Sequence, residues 1–98
     1  MECNAKKAGR DVTIVNTYGL HMRPSSRFVK LASSYQSQVW VYFRGTKASG
    51  KSLLEMTCLA AEKGDTLELE AEGPDAEAAL AALADLVAAG FHMDDEGS

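Results

Sequence analysis

The 98-residue chain has no apolar run long enough to cross a bilayer, and its opening stretch, MECNAKKAGR, lacks the roughly seven-residue apolar core of a secretory signal. Membrane insertion and export are therefore not expected, which places the chain in the cytoplasm. Cysteine is scarce: Cys3 and Cys58 stand far apart with no CxxC or Cys/His ligand spacing, so neither a disulfide framework nor a metal site is expected, and no motif calls for a cofactor. Positive charge is short as well. Ten basic against fourteen acidic residues leave a net charge of -4 and a pI near 5.0, the wrong sign for general nucleic-acid binding. Hydrophobic residues make up 46% of the chain, but alanine-rich stretches supply much of that. The core should then rest on Leu, Val, Phe and Trp40, in a single domain with little room for a deep cavity.

The elements follow from periodicity. Asp11 to Asn16 is a β-branched strand ending at the turn Tyr18-Gly19. Pro24, tolerated only in a first helical turn, begins a stripe with Phe28, Leu31 and Tyr35, which starts a helix at His21. Val39 to Phe43 and Lys47 to Ser49, joined at Gly45, read as a hairpin. Ser52 caps a second helix along LLEMTCLAAEKG, with Leu53, Met56 and Ala60 on one side and Gly64 as its stop. Thr66 to Glu72 alternates Leu67, Leu69 and Ala71 with Glu68, Glu70 and Glu72, so one sheet face meets water. Gly73-Pro74-Asp75 supplies the cap of a third helix whose stripe is Ala76, Leu80, Leu83 and Val87 and which stops at Gly90. This order predicts an α+β open-faced two-layer sandwich, a four-stranded antiparallel sheet with three helices on one face (βαββαβα). Residues 1–9 and 92–98 read as flexible tails around a domain over 10–91.

GTKASGKS, residues 45–52, matches the phosphate-binding loop G-x-x-x-x-G-K-[ST]. That loop belongs to a parallel sheet covered on both faces, with a later apolar strand ending in a magnesium-holding Asp. The only strand after Ser52 is the half-polar LELEAE, so the match is rejected.

His21 is the only histidine within the expected fold and precedes a helical turn. Amides at a helix start point outward with partial positive charge, so they suit a phosphoryl group carried by a side chain placed there. The same positive end favours a neutral, nucleophilic imidazole, and Arg23 can add a planar cationic fork. A capping or surface histidine is the plain alternative.

The segment GLHMRPSSRFVKLAS resembles the active site of the HPr family, the histidine-containing phosphocarriers of the bacterial sugar phosphotransferase system. SGKSLLEMTCLAAEKGDTLELEAEGPDAEAALAALADLV resembles the rest, so the likeness covers about residues 10–91. It implies that enzyme I phosphorylates His21 and that an enzyme IIA protein receives the group. By position, Arg23 steadies the phosphoryl group, Pro24 shapes the first turn, and Ser52 matches a regulatory phosphorylation site used by an HPr kinase/phosphorylase. Leu53 and Leu54 match the apolar docking pair. Met22 replaces the usual small residue after the histidine, and Glu55 stands where the family is more often neutral or basic.

Arg27 and Lys30, four and seven residues after Arg23, form a basic rim suited to steering acidic partners. Cys58 reads as a small buried hydrophobe, and His92 as a tail residue without a role. The expected protein is a monomer that meets enzyme I and enzyme IIA, with no nucleic acid. Two alternatives stand beside it: a regulatory relative in nitrogen or catabolite control acting through Ser52, and a small-ligand module that leaves His21 unmodified.

Overall fold

In the computed structural model, residues 6–17 and 19–92 are described. The strands are β1 (Lys6–Thr13), β2 (Gln38–Phe43), β3 (Thr46–Ser49) and β4 (Thr66–Gly73). The helices are α1 (Met22–Ser33), α2 (Leu53–Cys58) and α3 (Ala76–Ala88), and a 3-10 turn closes the order at Gly90–His92. The sheet runs β1-β4-β2-β3 with every neighbouring pair antiparallel. This is the open-faced α+β sandwich that the alternation in β4 implies. Leu67, Leu69 and Ala71 are fully buried, while Glu68 and Glu72 face water. Val39 and Val41 from β2, Phe28 from α1, Met56 from α2, and Leu80, Leu83 and Val87 from α3 complete the core. No helix among the described residues is long and apolar enough to cross a membrane.

Several local expectations give way to long-range bonding. β1 was expected over Asp11 to Asn16, yet it begins at Lys6 and ends at Thr13. Its ladder with β4 runs from Lys6↔Gly73 to Thr13↔Thr66, so residues 6–9, expected in the N-terminal tail, lie in the sheet. The rest of that tail (1–5) and residues 93–98 lie outside the described residues, as does Tyr18. α2 ends at Cys58, well before Gly64, and Ala60 takes a positive φ of 56°. Ala60 is therefore exposed and lines no helix face. The early end frees the Ala61 carbonyl to accept the Leu20 amide at 2.9 Å. Cys58, on the last turn, is exposed and not buried.

Asp75 precedes α3 but makes no side-chain cap bond to it. Its carboxylate instead accepts the Gln36 amide at 3.0 Å and the Ser37 amide at 2.9 Å, together with the Ser37 hydroxyl. Asp75 thus ties the α1–β2 connection to the start of α3. Trp40 is not in the core: it stands half-buried on the open sheet face, opposite Glu70, with the Lys47 ammonium 4.2 Å from its ring centroid. Phe91, one residue past the expected stop at Gly90, is fully buried at a φ of 59°.

Within GTKASGKS, Thr46–Ser49 pair with β2 in an antiparallel hairpin, Phe43↔Thr46 to Trp40↔Ser49, and the Lys51 ammonium donates to the Tyr35 carbonyl at 2.8 Å. A segment committed to a ladder cannot wrap its amides around a phosphate.

Candidate functional site

The site is built where the β1–α1 loop meets the loop after α2. Asn16 opens the turn: its side-chain amide donates to the Gly19 carbonyl at 3.0 Å, and its own carbonyl accepts the Gly19 amide at 3.3 Å. Gly19 takes a φ of 67° and lies so close to the Ala61–Glu62 backbone that any Cβ there would overlap it. Leu20 is buried and its amide bonds Ala61. With Gly19 and Leu20 anchored, His21 leaves the loop as the N-cap residue of α1, extended at φ -79° and ψ -174°.

The His21 side chain is exposed and makes no cap bond to the helix. Its carbonyl accepts the Ser25 amide at 3.0 Å, the first bond of α1. Met22 and Arg23 supply the first helical amides, Pro24 carries none, and no acidic residue lies in the first turn. An anion bonded to the imidazole would thus meet the positive end of a twelve-residue helix with no carboxylate on that turn to oppose it. Pro24 is buried and pins the turn, while Arg23 is exposed beside His21.

His21 forms one wall of a shallow depression of about 300 Å³, with Leu20 and Met22 on its own side and Thr57, Ala60, Ala61 and Glu62 across from it. Met22 is 62% exposed and Leu54 73%, two of the few large apolar side chains left in water. The Thr57 hydroxyl donates to the Leu53 and Leu54 carbonyls at 3.1 and 3.0 Å, so α2 continues the wall toward Leu54. Leu53 is half-buried. Apolar surface flanking a reactive group is the usual form of a protein docking patch.

The other expected residues are distributed unevenly. Ser52 is the N-cap of α2, its hydroxyl accepting the Glu55 amide at 3.2 Å. The Glu55 carboxylate turns back to accept the Ser49 amide at 2.7 Å, which holds its charge at the start of α2. Lys30 is exposed in the last turn of α1. Arg27 is exposed but not idle: its guanidinium donates to the Phe91 and His92 carbonyls, both at 3.0 Å. It latches the C-terminal turn onto α1, and His92, read as a tail residue, supplies one of the two acceptors.

Glu62 and Asn16 are the site residues that pattern reading missed. Asn16 is a turn-former by type, a signal present in the sequence. Nothing local marks Glu62, which is brought to the site by the long-range Leu20–Ala61 bond and the packing of Gly19 on its backbone.

Comparison with known proteins points to one family. The family model described as PTS HPr component phosphorylation site matches residues 8–89. Phosphocarrier protein HPr of Cupriavidus necator is 42% identical over 82 residues, covering 84% of this chain and 92% of that protein. HPr of Neisseria meningitidis serogroup A is 41% identical over 78 residues, covering 80% and 88%. Among solved structures, HPr-C-His from Thermoanaerobacter tengcongensis superposes with a TM-score of 0.84 at 38% identity, covering 87% of this chain and 96% of that one.

Proposed function

Because the chain belongs to the HPr family of phosphotransferase-system components, we propose that it is a phosphocarrier whose His21 takes a phosphoryl group from enzyme I and delivers it to enzyme IIA proteins in phosphoenolpyruvate-dependent sugar phosphotransfer. The observation that carries this reading is an exposed imidazole at the N-cap of α1, before a first turn free of acid and two residues before Arg23, with Arg23 and the intervening Met22 also exposed.

The chemistry is an in-line exchange between two imidazoles. The lone pair of His21 Nδ1 forms a new P–N bond as the P–N bond to the donor histidine breaks, and the donor ring keeps the electron pair. The proton of His21 stays on Nε2 throughout. Positioning and charge stabilisation are all that such a transfer requires of the protein. The α1 amides and the Arg23 fork face the charge on the phosphoryl oxygens, and Pro24 keeps the turn in shape. Met22, Leu53 and Leu54 form the apolar contact for each partner, while Lys30 and, from its latch, Arg27 add positive charge to the α1 side. Delivery from the other direction reverses the same step.

Under this reading the protein works as a cytoplasmic monomer. Ser52 is its point of control: a phosphate added there by an HPr kinase/phosphorylase would put charge beside Leu53 and Leu54 and obstruct docking. Incubation with phosphoenolpyruvate and enzyme I, followed by intact-mass measurement, should show one acid-labile phosphoryl group in the wild type and none in His21→Ala. An unchanged wild-type mass would refute the proposal.

A further inference from the structure

The docking face carries two signs of charge, and its acidic part sits at the reactive residue itself. On the α1 side Arg23, Arg27 and Lys30 are exposed. Across the depression Glu62 is exposed and, among the described residues, is the only ionisable one lining the wall besides His21. Its place is set by three contacts: the Glu62 amide donates to Asp65 Oδ2 at 2.8 Å, the Asp65 amide donates to the Glu62 carbonyl at 2.9 Å, and Gly19 packs on the Glu62 backbone. Asp65 is half-buried and spends its other oxygen on Arg44 at 3.8 Å. Glu55 is held at the start of α2 by the Ser49 amide, and Lys63 does not line the depression. Among the described residues, the acidic group that shares the depression with His21 is therefore Glu62.

We infer that Glu62 is a specificity determinant, selecting partners that place a basic side chain next to the transferring histidine. This rests on the phosphocarrier reading and refines it. A uniformly acidic partner face would gain from Arg23 and Lys30 but would press like charge onto Glu62, where docking shields both groups from water. The fitting partner is split to match, acidic opposite α1 and basic opposite the loop after α2. Such a pair tunes encounter and register and leaves the P–N exchange itself untouched.

The test is steady-state phosphoryl uptake from enzyme I of the same cell, with Glu62→Lys, Glu62→Gln and, as a charge-matched control on α3, Glu77→Lys. Glu62→Lys should raise KM about fivefold with kcat within about twofold of wild type, and Glu62→Gln should raise it about twofold. Both effects should vanish near 1 M salt, where the screening length is about 3 Å. Glu77→Lys should match wild type. Should Glu62→Lys fold poorly, Glu62→Gln alone decides through its KM and salt dependence. Equal or lower KM in the Glu62 variants, with normal wild-type uptake, overturns the inference and leaves the phosphocarrier reading standing. A wild type that takes up no phosphoryl group removes both.

Discussion

At Gly19 two requirements coincide: a φ of 67°, which strains a residue with a side chain, and a backbone approach to Ala61 and Glu62 that leaves no room for a Cβ. The loop that presents His21 depends on both. Gly19→Ala should lower unfolding free energy by about 2–4 kcal/mol, from left-handed strain together with overpacking. Urea denaturation would measure it. The same variant should slow phosphoryl uptake, because the Leu20–Ala61 bond that aims His21 would be displaced. Loss of under about 0.5 kcal/mol would mean that the loop tolerates rearrangement. Single residues also show where reading from sequence succeeds. His21 and Pro24 declare themselves, since a proline confined to a first turn dates the helix start and hence the residue before it. Glu62 does not, because its role comes from a backbone bond between segments far apart in the chain.

Among the elements, those defined by their own side-chain period were legible: β4 by its strict alternation, α3 by its buried stripe, the β2–β3 hairpin by Gly45. Those whose limits are drawn by another part of the chain were not. β1 gains its first five residues from pairing with β4, although residues 6–10 contain no apolar alternation. α2 stops where the Ala61 carbonyl is claimed by Leu20, although LAAEK could continue a helix. Asp75 shows the same effect at a helix start, where the expected local cap is given up for a bond to another element. There the Ser37 hydroxyl first, and then the Gln36 amide, hold its carboxyl below the ordinary value of 3.8, with burial acting in the opposite direction. A carboxyl lowered on folding adds stability that is complete above its unfolded value and lost as pH falls through its folded one. Wild-type stability should therefore drop as pH falls below about 3.8. Asp75→Asn should be less stable than wild type at pH 7, and the gap should narrow in that acid window. Chemical denaturation at several pH values would check this; a constant gap across the window would show that the carboxylate charge contributes nothing.

For the molecule as a whole, one-sided coverage of the sheet divides the surface by role. The open face is occupied by its own pairs: the Tyr42 hydroxyl donates to Glu70 at 2.9 Å, Lys7 lies 3.3 Å from the same carboxylate, and Lys47 sits over Trp40. The helical side carries the candidate site, gathered where the start of α1 meets the end of α2. The open-faced sandwich was readable from the sequence because the alternation in β4 already requires a wet face. The place of Trp40 was not, since an aromatic in a strand fits either face. The shallow depression suits a protein whose substrate is another protein's phosphorylated side chain, held only for the moment of transfer. The central claim is that His21 itself bears and then releases the group. Its most direct test is to load the protein from phosphoenolpyruvate and enzyme I, digest it above neutral pH, and locate the phosphate before and after adding enzyme IIA. The account predicts phosphate on the peptide containing His21, discharged when the acceptor is present. Phosphate found on Ser52 instead, or label on His21 that no acceptor removes, would contradict it.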